Sequence, residues 1–253
     1  MADAALQALQ DAVRDAASRR QPLRIVGSGS KDFYGDGEPG ERRGAPLDVT
    51  PLSGISAYEP SELVVTVRAG PPLAELEAAL AEKGQCLPFE PPRLGATTQQ
   101  GGTVGGMVAA GLAGPTRAAV GGVRDYLLGA SLINGRGELL SFGGQVMKNV
   151  AGYDVSRLLA GSMGTLGVLA EVTLKVLPKP VAEQTLVFDM NEAEAIARLN
   201  QWGGQPLPIS ASFWHAGQLW LRLSGARAAV AAARGPRRPR AGARRSPARG
   251  SRP

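Results

Sequence analysis

One cysteine and one histidine in 253 residues exclude an internal disulfide framework and any zinc site assembled from His and Cys. Cys86 standing alone fits a reducing compartment. Aromatic residues make up only 5% of the chain, and no uninterrupted apolar run approaches the roughly 18 residues of a membrane-spanning helix. Residues 1–20 mix Ala with Asp, Gln and Arg, so no charged-then-apolar leader is read there. No Gly-Lys pair occurs anywhere, which excludes a Walker-type phosphate loop. The body of the chain also lacks an excess of positive charge. The net charge of +6 comes from the stretch beginning at Arg234, which holds eight arginines and no acid; 20 basic and 22 acidic residues precede it. A nucleic-acid role would therefore fall to that tail, where no aromatic residue interleaves the arginines.

Glycine is what the chain has in excess: 34 of 253 residues, or roughly 13% against a usual 7%. Around it the hydrophobic periodicity predicts α+β architecture without strict βαβ repetition. Residues 4–17 place Leu6, Leu9, Val13 and Ala16 at helical spacing. A short strand is expected at 23–26, a breaker-rich loop at 31–44, and strands at 47–50 and 63–68. Pro71 and Pro72 open a helix that Gly84 closes. Residues 127–142 read as a hairpin about Asn134-Gly135-Arg136-Gly137, residues 153–159 as a helix and 168–176 as a half-buried strand. A new strand and helix follow Pro178-Lys179-Pro180.

Three glycine-rich stretches remain. In the first, Gly27-Ser28-Gly29-Ser30 follows a strand, can turn successive N–H groups inward as an anion-binding nest, and is followed by Lys31; the bland alternative is a loop that only turns. A Rossmann fingerprint fails because its third glycine position is Asp32 and no helix opens there. The second runs from Thr103 to Pro115, where small residues let main chain lie against a large planar ligand, or equally let a helix pack tightly on a sheet. The third is Gly161-Ser162-Met163-Gly164-Thr165-Leu166-Gly167-Val168. Together they favour an extended cofactor held mainly by backbone.

The motifs become specific in combination. Arg24-Ile25-Val26-Gly27-Ser28-Gly29-Ser30-Lys31, Glu90-Pro91-Pro92, the stretch 105–115, Val123-Arg124-Asp125-Tyr126-Leu127-Leu128-Gly129, the stretch 146–158 with Lys148, Tyr153 and Asp154, and the turn 164–168 occur in the order that resembles the FAD-binding subunit of bacterial glycolate oxidases. That family carries the PCMH-type (vanillyl-alcohol-oxidase-type) FAD-binding domain. The resemblance covers residues 1–180 well.

It implies two small α+β subdomains with FAD between them. Gly27, Ser28, Gly29, Ser30 and Lys31 would hold the pyrophosphate. Thr103, Gly105, Gly106, Arg117, Gly122 and Asp125 would lie along the cofactor, and Gly164, Gly167 and Val168 would add backbone contacts. Ser30 stands where many relatives carry a flavin-linked histidine, so the FAD should be non-covalent. The implied reaction is oxidation of a small 2-hydroxy acid such as glycolate to its 2-oxo acid. The implied partners are a second flavin subunit and an iron–sulfur subunit, since this chain has no cysteine cluster of its own. The expected location is cytoplasmic, with any place at the inner membrane supplied by partner subunits. No catalytic residue and no metal site is assigned; Lys148 as a charge near flavin is weighed against a solvated lysine, and Arg124-Asp125 against a capping element. The expected organisation is an FAD-binding domain at 1–180, a partial cap at 181–233, and a disordered Arg/Pro/Gly/Ala tail at 234–253, read as a shortened cap from a shifted frame. The alternative is a flavin-binding remnant without turnover.

Overall fold

The structure, a computed structural model, describes residues 2–34, 44–94, 101–144 and 154–234. In chain order its elements are α1 (Ala2–Ser18), β1 (Leu23–Val26), β2 (Ala45–Asp48), β3 (Ile55–Glu59), β4 (Val64–Arg68), α2 (Leu73–Glu82), β5 (Gln85–Cys86), α3 (Val104–Ala110), α4 (Arg117–Val120) and α5 (Val123–Tyr126). There follow β6 (Leu127–Ile133), β7 (Leu139–Gly143), α6 (Val155–Leu158), β8 (Val168–Lys175), β9 (Leu177–Pro178), β10 (Ala182–Asp189), α7 (Glu192–Gly203), β11 (Ile209–His215), β12 (Gln218–Gly225) and α8 (Arg227–Arg234). They form two units, one of Met1–Gly114 with Gly121–Pro178, the other of Pro115–Val120 with Lys179–Pro253. Helices and antiparallel strands mix in both, as the α+β expectation requires.

The first unit is built on an antiparallel sheet in the order β3-β4-β8-β6-β7. Its middle strands are buried almost throughout, and Val65, Val67, Val172 and Leu174 are fully inaccessible. Both faces are therefore covered, which is why β4 and β6 read as near-continuous apolar runs rather than alternations. At the centre Thr66 and Thr173 pair their hydroxyls at 3.0 Å, so the two buried oxygens satisfy each other.

Helix α2 packs beside β5 and α3 and turns Leu73, Leu76 and Leu80 inward, at i, i+3 and i+7 and all fully buried. On α1 the apolar stripe of Leu9, Val13 and Ala16 is buried. Its other contacts are polar: Gln10 and Arg14 both donate to the Gly137 carbonyl, at 2.9 and 3.0 Å, in the turn between β6 and β7. That turn is shaped by Asn134, whose side-chain oxygen accepts from the Arg136 and Glu138 amides.

A separate parallel pair, β1 with β2, carries the glycine loop at its end. Strand β2 begins two residues earlier than the periodicity suggested and includes Pro46; a strand with a single partner tolerates the missing N–H.

In the second unit β10, β12 and β11 form an antiparallel sheet in that order. One face packs Leu186, Leu219, Leu221 and Leu223 with Ala195 and Trp202 of α7 and Val230 and Ala233 of α8. An N-terminal capping box starts α7: Asn191 accepts from the Glu194 amide at 2.9 Å, and Glu194 accepts from the Asn191 amide at 3.3 Å. Phe213 and Trp220, paired across β11 and β12, stay exposed.

Candidate functional site

A cavity of about 650 Å³ opens in the first unit, within the range of about 300–1,000 Å³ usual for small-molecule sites. Its wall is assembled from β1 and the loop after it, from Thr103, Gly106, Ala109 and Ala110 around α3, and from Met163, Gly164 and Thr165. The three glycine-rich stretches thus meet on one space. Main chain does the joining. The C-terminal end of α3 holds the third stretch, because the Gly161 and Met163 amides donate to the Val108 and Ala109 carbonyls at 3.0 and 2.9 Å. A Cβ on Gly164 would stand 3.0 Å from Ile25 Cδ1, which brings that turn onto β1.

The glycine loop lies equally close to the α3 entrance. A Cβ on Gly27 would fall 2.6 Å from Thr103 Oγ1, and one on Gly102 would fall 2.7 Å from Lys31 Nζ and 2.8 Å from Ser30 Oγ. A side chain at Gly27 would have to displace Thr103, and one at Gly102 would be strained by its φ of +94° and would turn the ends of Lys31 and Ser30 aside. The loop itself turns through Gly29 at φ +71°, with the Asp32 amide returning to the Gly29 carbonyl and the Tyr34 amide to the Lys31 carbonyl. Among the described residues the amides of Ser28, Gly29, Ser30 and Lys31 meet no protein acceptor. They remain available to an anion.

The first turn of α3 is different. Val104 and Gly105 donate to the Pro71 and Ala69 carbonyls at 3.0 and 2.8 Å, and Gly106 donates to Thr103 Oγ1 at 3.1 Å. Those amides are engaged within the protein, so anion recognition rests on the loop and its side chains.

Three charged residues border the cavity: Arg24, Lys31 and Asp32. Burial pushes the Lys31 ammonium below its ordinary value, because the charged form loses water. Its recorded side-chain neighbour is the Ser30 hydroxyl at 3.5 Å. Arg24 Nε is buried with no hydrogen-bond partner among the described residues. An elongated anion meets these features well: amides without an acceptor among the described residues, hydroxyls, an under-solvated ammonium, and walls stripped of Cβ atoms. The diphosphate of a dinucleotide is such a group.

Of the residues expected from the sequence, Gly27, Ser28, Gly29, Ser30, Lys31, Thr103, Gly106 and Gly164 line this cavity. The others do not. Gly105 faces Ala69, where a Cβ would stand 2.7 Å from the alanine methyl, so it serves helix-on-sheet packing. Arg117 lies on α4 in the second unit. Asp125 accepts from the Gly122 amide at 2.8 Å and so caps α5. Gly167 fits against the Ile133 carbonyl, and Val168 is buried in β8. Asp154 caps α6, accepting from the Arg157 amide at 3.2 Å. Lys148 and Tyr153, most of the stretch 146–158, residues 95–100 and residues 235–253 lie outside the described residues.

Arg24, Tyr34, Ala109, Ala110, Met163 and Thr165 line the cavity without having been marked as site residues. For Arg24 a signal existed: an arginine inside an otherwise apolar four-residue strand.

These features define a nucleotide-cofactor domain, and the comparisons give its class. A family model described as FAD binding domain matches residues 4–143, and the chain belongs to this family of PCMH-type FAD-binding domains. Among its relatives, the glycolate oxidase subunit GlcE of Escherichia coli strain K12 is 50% identical over 228 residues, covering 90% of this chain and 63% of that protein. The glycolate oxidase subunit GlcD of Bacillus subtilis strain 168 is 31% identical over 58% of this chain and 30% of its own. A D-lactate dehydrogenase of Anaerostipes hadrus is 29% identical over 68% of this chain and 35% of its own. The chain thus spans under two thirds of the curated relatives it matches. Among solved structures, an alkyldihydroxyacetonephosphate synthase superposes with a TM-score of 0.67 over 89% of this chain and 47% of that one. At 18% identity that likeness shows the fold alone.

Proposed function

We propose that this chain binds FAD non-covalently as a subunit of an oxidoreductase acting on glycolate or a closely related 2-hydroxy acid. The observation that carries the reading is the meeting of three glycine-rich stretches on one cavity, in a chain 50% identical to a glycolate oxidase subunit. In this reading residues 1–180 hold the cofactor and residues 181–233 open the segment that covers substrate.

Bound FAD would supply a two-electron acceptor for the hydride of the substrate C–H. The chain's own residues bind and orient. The four loop amides and the hydroxyls of Ser28 and Ser30 would hold the diphosphate, and Lys31 would neutralise charge there. Hydrogen bonds to a charged group contribute about 1.5–3 kcal/mol each. Thr103 holds the Gly106 amide and abuts Gly27, so it fixes the spacing between loop and helix. Non-covalent attachment is supported by Ser30, which stands where many relatives of the resembled family carry a flavin-linked histidine and which borders the cavity. Glyoxylate as product, and an iron–sulfur partner with a second flavin subunit as electron acceptors, complete the proposal. No described helix is long and apolar enough to cross a membrane.

The test is spectroscopic. Purified protein, reconstituted with FAD, should show flavin absorption that passes wholly into the supernatant on acid precipitation. Glycolate should bleach it when partner subunits are present. A folded protein that takes up no FAD at any concentration removes the proposal, and pigment retained in the acid pellet removes its non-covalent part.

A further inference from the structure

We infer that residues 115–120 form a strap through which occupancy of the cavity governs the order of strand β11; this rests on the FAD reading above. The chain leaves the first unit after Gly114, contributes α4 to the second, and re-enters the first at Gly121. Within the second unit α4 packs against β11, an edge strand whose pairing with β12 is interrupted by a bulge between Ile209 and Ala211. A helix of four residues cannot sustain itself, so its place depends on what it packs on and on how its ends are fixed.

Both ends are fixed in the first unit. Upstream, the Gly114 amide donates to the Phe89 carbonyl at 2.8 Å, and a Cβ at Gly114 would strike the Glu90 carbonyl oxygen, so main chain lies directly on main chain. Glu90, of the Glu90-Pro91-Pro92 motif, is itself held at φ +47° ahead of a proline, a conformation that a non-glycine residue keeps only where its surroundings impose it. Downstream, Gly121 turns at φ +93° and the Gly122 amide donates to the Asp125 carboxylate at 2.8 Å. Between these anchors there is no slack: Thr116 is buried, and its carbonyl accepts from the Ala119 and Val120 amides at 2.8 and 3.0 Å. The cavity lies immediately upstream, since Gly106, Ala109 and Ala110 of α3 line it and the left-handed Gly111 that ends α3 leads straight to Gly114. A ligand that orders the end of α3 fixes the strap's upstream anchor. A fixed strap narrows the positions open to β11, which couples the two by conformational entropy.

The experiment is hydrogen exchange by mass spectrometry on the full chain, with and without FAD, uptake being followed separately by flavin fluorescence. FAD should slow exchange of the β11 amides by about five- to a hundredfold, while β10, the edge strand without a strap, changes by less than about twofold. In a variant with Gly-Ser inserted both after Gly114 and after Val120, α4 keeps all its residues but is slack. FAD affinity should stay within about twofold of wild type and the β11 response should vanish. Should that variant take up no FAD, the two single insertions carry the test, each cutting the β11 response by about half or more. Bound FAD with unchanged β11 exchange would overturn the inference. So would equal slowing of β10 and β11, which is general stabilisation by a ligand, or a full β11 response in the slackened chains. If wild type takes up no FAD, the cofactor reading falls first and this inference with it; the failures are thus distinguishable.

Discussion

Helices α2 and α3 lie side by side in the same unit and are made in opposite ways. Helix α2 places three leucines in the core and owes its position to their bulk. Helix α3, Val-Gly-Gly-Met-Val-Ala-Ala, places backbone there instead, with Gly105 against Ala69 and Gly106 on the cavity. The difference teaches where a ligand can be received. A surface covered by large side chains is already filled, whereas one of small residues brings main chain to the wall of a space. Within α3 the same contrast recurs between two adjacent glycines, one needed for packing and the other for access.

Substitutions can break or sharpen that contrast. The largest effect is expected from Leu76→Ala, whose cavity among buried leucines should cost about 2–5 kcal/mol in denaturant unfolding of the flavin-free chain. FAD affinity of the folded fraction should hold. Next, Gly105→Val should cost about 1–3 kcal/mol, since its side chain meets the Ala69 methyl and carbonyl with no room to relax. Gly106→Ala meets nothing closer than Thr103 Oγ1 at 3.1 Å. It should leave the thermal midpoint nearly unchanged while weakening FAD uptake by placing a methyl on the cavity. Equal losses of stability at 105 and 106 would dissolve the distinction.

The smallest effect concerns pH. Burial lowers the Lys31 pKa from 10.5 in the flavin-free fold, so just below 10.5 the unfolded chain binds more protons than the folded one. Stability of the flavin-free protein should therefore rise slightly with pH through that window. FAD affinity should fall over the same window as the ammonium loses its charge. Lys31→Met should flatten both trends and weaken FAD by roughly tenfold at neutral pH. Parallel pH titrations of midpoint and affinity would expose a wrong sign in either.

Much of the architecture was legible because the relevant signals are local. Apolar spacing marked α1 and α2, Asn134-Gly135 marked the β6–β7 hairpin, and alternation marked β8 as a strand, although the half-burial it predicts is overturned because β8 is a central strand covered on both faces, with Thr173 buried against Thr66. Helix α3 was not assigned: two glycines and no large residue but Met107 give little helical signal, and its order comes from the Thr103 cap and from packing on β4 and β8. Strand β3 went unread because it is an edge whose residues are half-buried without alternation. The hairpin of β11 and β12 also went unread. Its two-residue turn, Ala216-Gly217, has positive φ at both positions, and Ala is a poor advertisement for that geometry. The cavity's glycine and hydroxyl residues were readable from composition and order. Arg24 carries a weaker signal, a single charge within an otherwise apolar four-residue strand.

The attachment of α1 to the Gly137 carbonyl has a consequence for synthesis. Gln10 and the atom it binds are 127 residues apart. At a translation rate of about 5–20 residues per second, the first helix leaves the ribosome roughly 6–25 s before its latch exists. Through that interval Gln10 and Arg14 lack the carbonyl they donate to in the folded chain. The nascent chain therefore carries α1 unlatched, and removing Arg14 or Gln10 should lengthen its exposure to chaperones more than it weakens the finished protein.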